Sequence, residues 1–178
     1  GLRAVWASLW APRAYDERAW FRVDQSRVGM GVLVHRAFRS EKANGVAISR
    51  HVLDPNRGDI YFLNVQAGEA SVTNPAPGVR SESLLYRFGR SPAVVYQSQS
   101  SLTRGAPVLQ TVEVQQAICT LAGIHSAFRP LLDPESDNHY FAMDIEFKFI
   151  GDARELLVKQ ARPFSFGRLE PVGDCREF

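Results

Sequence analysis

The segment MDIEFKFIGDARELLVKQARPF, at residues 143–164, gives the clearest indication of the fold. Two apolar runs flank a short polar turn, which predicts two strands joined as an antiparallel hairpin. Because successive strand residues point to opposite faces, the first strand separates a polar from an apolar set. The polar set is Asp144, Glu146 and Lys148, and the apolar set is Ile145, Phe147 and Phe149. The polar set is unexpected in so apolar a hairpin and calls for an explanation.

The second strand of this hairpin also carries polar residues. Alternation predicts one face for Leu156, Val158, Gln160 and Arg162. If Glu146 pairs opposite Gln160, then Asp144 faces Arg162, and a carboxylate, an amide oxygen and a guanidinium converge. Mg²⁺ takes oxygen ligands, and the Arg fork matches phosphate oxygens. This register therefore predicts a site for a nucleoside triphosphate and Mg²⁺.

Two other interpretations of the hairpin fit the same residues. A shift of one residue puts Glu146 opposite Lys159 and Phe147 opposite Val158, which is also chemically sensible. An ordinary half-exposed hairpin with surface ion pairs would need no ligand, since such pairs are common and weak. Periodicity does not choose among these three.

Outside the hairpin, the sequence alternates between helical and strand patterns. Helical spacing at residues 1–10 (Leu2, Val5, Trp6, Leu9, Trp10), 13–21 and 111–128 predicts three helices, the last ended by Pro130 and a polar loop. Strands are predicted at residues 28–38 as a buried apolar run, and at 45–49, 60–65, 83–87 and 93–97. The first helix begins without a cap or an initiator Met, so we expect the chain to derive from a longer protein.

Composition narrows the class of protein. With 178 residues, 45% of them hydrophobic, the chain has enough apolar residues for a core. The 21 basic and 19 acidic residues leave a net charge of +2, too small to indicate a nucleic-acid or membrane partner. The distant Cys119 and Cys175 suggest neither a disulfide framework nor a metal site, and no apolar run is long enough to cross a bilayer. We therefore expect a cytoplasmic protein.

Local catalytic motifs are mostly absent. The chain lacks the phosphate loop, the H-E-x-x-H zinc motif and the G-x-S-x-G elbow. Gly29 and Gly31 imitate a dinucleotide fingerprint, but the third glycine is missing and the run precedes a strand. The scattered histidines show no ligand spacing and are expected to be structural or solvated.

Taken together, several segments resemble the nucleotide-binding part of phosphoenolpyruvate synthase and pyruvate phosphate dikinase, an ATP-grasp domain. The DIEF and LLVKQARPF segments are similar to that family's closing D-I-E and L-Q-x-R-P signature. GVLVHRAF resembles its hydrophobic strand and adenine hinge, ANGVAIS the next strand, and LRAVWASLWAPRA its W-A-S-L helix. The resemblance spans residues 1–166 in the right order and implies an α+β lobe, a mainly antiparallel sheet flanked by helices, with 167–178 as a polar tail.

The resemblance implies a role for particular residues. Glu146 and Gln160 become ligands of Mg²⁺, and Arg162 contacts phosphate, which requires the converging register. The adenine hinge carries over as His35, Arg36, Ala37 and Phe38, where His35 stands in place of the family's usual Gln. NVQAGEASVTNP matches the family's G-E-x-V-x-G loop in part, so Glu69 is expected near the metal although the final Gly is absent.

The resemblance also implies partners that this sequence does not contain. The family's N-terminal lobe, with its nucleotide-binding Lys and V-R-S-S segment, has no counterpart here, and neither does the T-S-H histidine of a swivelling domain. We therefore expect a C-terminal lobe that binds Mg-ATP and supports phosphoryl transfer to a histidine on a separate domain, inactive by itself. The rival expectation is a degenerate lobe that serves as a non-catalytic interaction domain.

Overall fold

A computed structural model describes residues 1–34, 37–38 and 40–166. The chain divides into two compact units, one of residues 1–37 and one that begins at Phe38. The predicted polar tail at 167–178 lies outside the described residues, as do His35 and Arg36.

The first unit contains the two predicted helices. Helix α1 spans Leu2–Ser8 and α2 spans Pro12–Trp20, with a proline in the first turn of α2, where its missing N–H costs nothing. The Arg18 side chain ties the unit together, because Nε donates to Gln25 Oε1 at 2.8 Å and a terminal nitrogen donates to the Leu9 carbonyl at 2.7 Å. Neither of these helices has a buried residue. This unit is therefore held by polar contacts more than by an apolar core.

The strand predicted at residues 28–38 is wrong for the residues that the structure describes. Residues 28–34, 37 and 38 adopt no regular secondary structure, and Leu33 and Val34 are 82% and 78% exposed. An apolar run forms a buried strand only where another strand accepts its backbone hydrogen bonds and a core covers its side chains. Among the described residues, neither is provided to this run.

The second unit is built on a sheet. Within its described residues the sheet has six antiparallel strands in the order β4-β3-β2-β1-β5-β6. The strands are β1 Glu41–Ile48, β2 Ile60–Ala67, β3 Glu82–Arg87, β4 Ala93–Ser98, β5 Met143–Ile150 and β6 Glu155–Pro163. The strands predicted at residues 45–49, 60–65, 83–87 and 93–97 are confirmed as β1 to β4, each one to three residues longer than predicted, and the two strands of the hairpin are confirmed as β5 and β6. With the helices, the sheet confirms the α+β fold class.

One long helix packs against the half of the sheet formed by β1, β5 and β6. Helix α3 spans Thr111–Leu132 and starts with a capping box between Gln110 and Glu113. It does not end before Pro130 as predicted. The proline removes a single N–H near the C-terminus, and the helix closes because the Asp133 N–H donates to the Arg129 carbonyl at 2.8 Å. None of the helices in the described part of the chain combines the length and apolar character needed to cross a bilayer.

The sheet has two distinct faces, a covered face and an open face. The covered face packs against α3 and forms the core with the buried side chains of Ala43, Ala47, Leu63, Val65, Leu84, Ile145, Phe147 and Phe149 and, from the helix, Val114, Ala117, Ile118 and Leu121. The open face carries the alternate side chains of β1, β5 and β6. These are Asn44, Val46, Asp144, Glu146, Lys148, Gln160 and Arg162, which the register places in neighbouring rows.

The hairpin of β5 and β6 contains both of the registers that the sequence allowed. At the end of the hairpin away from its turn, Asp144 pairs with Arg162 and Glu146 with Gln160, so the converging register is confirmed there. A β-bulge follows, and Phe147 then pairs with Val158, as in the shifted register. Lys159 is the extra residue of the bulge.

The bulge also corrects a prediction about β6. Directly opposed residues of an antiparallel pair point to the same face, so Val158 follows Phe147 to the covered face whereas Gln160 follows Glu146 to the open face. Leu156 likewise packs on the core opposite Phe149. The single face predicted for the four alternate residues of β6 is therefore wrong, because one inserted residue reverses the alternation.

Candidate functional site

The open face contains a cleft of about 350 Å³ over β1 and β5. Its walls come from the strands, from the bulge and from the loop after β2. The lining residues are Glu41, Asn44, Gly45, Val46, Glu69, Ser71, Val72, Thr73, Glu146, Phe147, Lys148 and Lys159. Two of the predicted site residues, Glu69 and Glu146, therefore line one cavity although they are far apart in the sequence.

Glu146 is the carboxylate at the edge of this cleft. Its side chain is 35% exposed, and it lies opposite the exposed Gln160 in the register. Its Oε2 accepts a hydrogen bond from the Lys159 ammonium at 3.2 Å. The pairing with Gln160 brings together the two oxygen donors that the sequence indicated, but an ammonium group already contacts one of them.

One row farther along the sheet, Asp144 and Arg162 form an ion pair. Arg162 Nε donates to Asp144 Oδ2 at 2.9 Å, and the side chains are 62% and 9% exposed, respectively. This bond uses one of the five guanidinium donors, and the Arg162 side chain makes no other hydrogen bond among the described residues. The buried acid thus orients an exposed guanidinium whose terminal nitrogens remain available to an anion.

Asp144 keeps one oxygen without a partner. Its Oδ1 is buried and accepts no hydrogen bond within the described part of the chain. A buried oxygen of this kind costs free energy unless a donor or a cation reaches it. The open face therefore has unused acceptor capacity beside the Glu146 and Gln160 row.

Lys148 occupies the far wall of the cleft and is held on two sides. Its ammonium forms a close ion pair with Glu41, whose side chain is 9% exposed. It also lies 5.9 Å from the centre of the Phe38 ring, within the range of a cation–π contact. The predicted hinge residue Phe38 thus lies next to a cleft residue.

The loop that follows β2 lines one side of the cleft with residues 69 and 71–73, and this side is called the roof. The Asn44 amide donates to the carbonyls of Gly68 and Ala70 at 2.7 Å and 2.9 Å. Gly68 has a φ of 65°, a conformation that glycine adopts without strain. These contacts fix the backbone on both sides of the exposed Glu69, whose side chain lines the cleft. The predicted acid is therefore presented by an anchored turn.

The predicted adenine hinge is only partly described. His35 and Arg36 lie outside the described residues, so their predicted roles stay predictions. Ala37 is exposed and belongs to the first unit, and Phe38 is half-buried in the second. The structure therefore brings Phe38, Glu69, Glu146 and Gln160 to one region of the open face and gives no such placement for the rest of the hinge.

Asn44 and Lys159 are among the cleft residues that the sequence did not identify as part of the site. Asn44 directly precedes the strand predicted at residues 45–49, within the ANGVAIS segment that resembles a family strand, and an Asn beside an apolar strand is a signal that could have been followed. Lys159 was considered only as the partner of Glu146 in a shifted register. Its placement depends on a bulge without a glycine, for which the sequence has no local signal.

The shifted pKa values belong to groups away from the cleft. Burial raises the pKa of Glu82, although its carboxylate accepts the Val108 N–H at 3.1 and 3.2 Å. Burial, followed by the positive charges of Arg129 and Arg50, lowers the pKa of His125. Neither group lines the cleft, so these shifts concern stability more than ligand binding.

The donor set of the open face is suited to a hard cation that is only partly coordinated by protein. No three His, Cys, Asp or Glu side chains among the described residues come close enough to hold a metal ion together. Glu146 and Gln160 supply one carboxylate and one amide oxygen, which fits Mg²⁺ when waters and phosphate oxygens supply the rest. The two residues therefore fit a metal that arrives with a phosphate ligand.

Comparison with protein families gives a match over nearly the whole chain. The model of the family described as "Pyruvate phosphate dikinase, AMP/ATP-binding domain" matches residues 1–172. The matched range includes the whole of the first compact unit, most of the second, the cleft and the hairpin. No curated protein gives a significant match.

Proposed function

The chain belongs to the pyruvate phosphate dikinase AMP/ATP-binding domain family, and from this premise we propose that it binds Mg-ATP on the open face and supports phosphoryl transfer to a histidine on a separate domain. AMP/ATP binding follows from the family. The metal, the direction of transfer and the acceptor domain are our proposal. The observation that carries it is the row in which Glu146 lies opposite Gln160, with Arg162 on the next row of the same face.

In this proposal Glu146 and Gln160 hold Mg²⁺ through their side-chain oxygens. The cation would neutralise the charge of the triphosphate and orient its oxygens. The cleft beside the two residues keeps the site partly closed to solvent, and Glu69 reaches it from the anchored turn. The protein's own contribution is to fix these oxygens before ligand arrives, since both sit on strands of a packed sheet.

Arg162 acts on the phosphoryl group. Its Nε is engaged by Asp144, which is 9% exposed, so the guanidinium is oriented before any ligand arrives. The remaining donors can bind two phosphate oxygens as a fork. Fixed donors aimed at developing charge account for much of phosphoryl-transfer catalysis, so Arg162 is the proposed catalytic residue.

The adenine base would bind at the hinge formed by His35, Arg36, Ala37 and Phe38. Phe38 lies near Lys148 of the cleft, which supports this location. The chain would act as the C-terminal lobe, residues 1–166, of an ATP-grasp domain whose N-terminal lobe and swivelling phosphohistidine domain are supplied elsewhere. By itself it should therefore bind nucleotide weakly and show no turnover.

Calorimetric titration with ATP, ADP and AMP in Mg²⁺ tests the proposal. Affinity should decrease from ATP to AMP, and Glu146→Gln should weaken the binding of ATP by about tenfold or more, as expected when a charge-assisted contact is lost. Glu155→Gln is the matched control, because Glu155 is exposed at the far end of the same hairpin opposite Ile150. Equal loss in both variants would contradict the assigned site.

A non-catalytic interaction domain is the second candidate, and one contact favours it. Lys159 contacts the carboxylate that the metal would use, as expected if the site has lost its metal. A folded chain that binds no nucleotide at millimolar concentration, with Mg²⁺ present, would support this candidate over the first. Cooperative urea unfolding of the same sample shows that the chain is folded.

A further inference from the structure

Lys159 owes its position to the β-bulge, and the consequence is chemical. In a regular strand the neighbour of Gln160 would point to the covered face, away from Glu146. In the structure its ammonium contacts Glu146 Oε2 at 3.2 Å and lines the cleft. Bulges commonly redirect a side chain in this way. The extra residue thus adds a cation to the open face.

We propose that Lys159 is an exchangeable cation of the nucleotide site: it neutralises Glu146 while no metal is bound and contacts the triphosphate once a divalent ion has taken the carboxylate. This inference rests on the proposed Mg-ATP site. It adds a phosphate-binding residue, and it makes cation binding and nucleotide binding depend on one side chain. No covalent step is involved.

The partners of the two cleft lysines show why Lys159 is the one that exchanges. Lys148 is 18% exposed, paired with the buried Glu41 and placed over the Phe38 ring, so it is held on two sides. Lys159 is 38% exposed, and its contact with the 35% exposed Glu146 is the one recorded for it in the described residues. Exposed pairs of this kind are weak and screened by salt.

The chemistry of the two cations gives the exchange its direction. A divalent ion attracts a carboxylate more strongly than an ammonium does, and Gln160 beside Glu146 offers it a second oxygen, which an ammonium does not need. The released ammonium has a flexible four-carbon stem and three donors. The ammonium remains on the wall of the cleft, where it can contact the triphosphate, which is the most negatively charged part of the proposed ligand.

The interpretation of the Glu146 contact also changes. An ammonium on a predicted metal ligand suggests a site that has lost its metal, which favours the non-catalytic candidate. An exchangeable ammonium instead keeps a partly buried carboxylate neutralised until the metal arrives, and no isolated charge is left on the open face. The two interpretations differ in what removal of Lys159 does to metal binding.

Lys159→Gln should change the two affinities in opposite directions. Mn²⁺ alone, followed by electron paramagnetic resonance, should bind about fivefold more tightly, because an exposed ion pair no longer competes for Glu146. ATP in saturating Mg²⁺ should bind about tenfold more weakly, because a charged donor to phosphate is lost, while AMP is nearly unaffected. A purely structural lysine would not produce opposite signs.

Two further variants make the experiment decisive. Lys42→Gln removes the same charge from an exposed pair with Asp152 outside the cleft lining, and it should change neither affinity. Lys159→Arg keeps the charge and should retain most of the ATP affinity.

If Lys159→Gln leaves Mn²⁺ affinity unchanged or lowers it, the exchange is overturned whatever happens to ATP. If the wild-type chain binds no ATP, the proposed function fails together with the inference, whereas normal ATP binding by Lys159→Gln overturns the inference alone.

Discussion

The two faces of the sheet are made by the same strands and have opposite chemistry. On the covered face, Phe147 and Phe149 are 1% and 0% exposed and contact each other edge to face at a ring distance of 6.0 Å. On the open face, their neighbours Glu146 and Lys148 line a cleft, and each forms an ion pair with another residue, Glu146 with Lys159 and Lys148 with Glu41. Strand alternation thus separates residues that stabilise the fold from residues that can bind a ligand, one position apart.

The ion pairs of the open face differ in how far their acids are buried. The Asp144–Arg162 and Lys148–Glu41 pairs each contain an acid with a side chain 9% exposed, whereas both members of the Glu146–Lys159 pair are more than a third exposed. Burial of the acid favours a fixed pair, since an isolated buried charge is costly. The weakest pair is thus located where the proposed metal would bind, and the fixed pairs surround it.

The largest difference in stability should appear between substitutions at two adjacent positions, one on each face. Phe147→Ala should lower the free energy of unfolding by about 3–5 kcal/mol, because it removes a buried ring and leaves a cavity. Glu146→Ala should lower it by about 1 kcal/mol or less while weakening ATP binding. Urea unfolding and calorimetry on both variants provide the check. A loss above about 2 kcal/mol in Glu146→Ala would break the division between the faces.

A second prediction compares the stability effects of adding a methyl group at two glycines, Gly45 in the core and Gly123 on the exposed side of α3. A Cβ at Gly45 would lie 2.7 Å from both Phe147 and Val65 side chains and 2.9 Å from the Asn64 carbonyl oxygen, so Gly45→Ala should cost about 1–3 kcal/mol. Gly123 is exposed within α3, and a Cβ there meets nothing within 4 Å. Gly123→Ala should therefore stabilise by about 0.5–1 kcal/mol. Equal melting temperatures for the two variants would contradict this packing.

A third prediction addresses the open face through Arg162. Arg162→Lys keeps the charge but loses the fork, so we expect ATP affinity to fall by about 10- to 100-fold. Unfolding free energy should change by about 1 kcal/mol or less. If Arg162 serves only as the partner of Asp144, the affinity for ATP should stay at the wild-type value, and AMP affinity is the internal control.

The smallest effect should appear on the covered side as a pH dependence at His125. The Met143 N–H donates to Ser49 Oγ at 2.8 Å, and Ser49 Oγ and His125 Nδ1 form a hydrogen bond of 2.8 Å whose direction is set by the tautomer of the ring. The pKa of His125 is lowered by burial and by Arg129 and Arg50. Below the unfolded pKa of about 6.5 the unfolded chain therefore binds more protons, and stability falls as the pH decreases toward the lowered pKa.

His125→Asn provides the comparison for this titration. Its side-chain amide has both a donor and an acceptor that can replace Nδ1 in the bond with Ser49, and it does not titrate in this range. Unfolding free energies measured by urea at several pH values between about 5 and 8 should show a smaller slope for the variant than for the wild-type chain. Identical slopes would assign the pH dependence to other groups.

Much of this protein followed from its sequence. Period-two alternation in the hairpin separated Glu146 from Phe147, and helical spacing located the amphipathic α3, because both signals depend on local geometry. In the converging register, chemical type predicted a metal and phosphate site, since a carboxylate, an amide oxygen and a guanidinium are the groups that such ligands need. The register is confirmed, and the site stays a prediction. The family resemblance supplied the register that periodicity had left open.

Only the tertiary structure decided where β6 reverses its alternation and which residues surround the cleft. The bulge at Lys159 reconciles two registers that seemed exclusive, and it depends on how β5 and β6 pair along their length. The apolar run at 28–34 formed no strand, because a strand depends on a partner that local sequence does not encode. Local geometry is set by neighbours in the chain, whereas register, bulges and the Asn44 anchor depend on groups that meet only after folding.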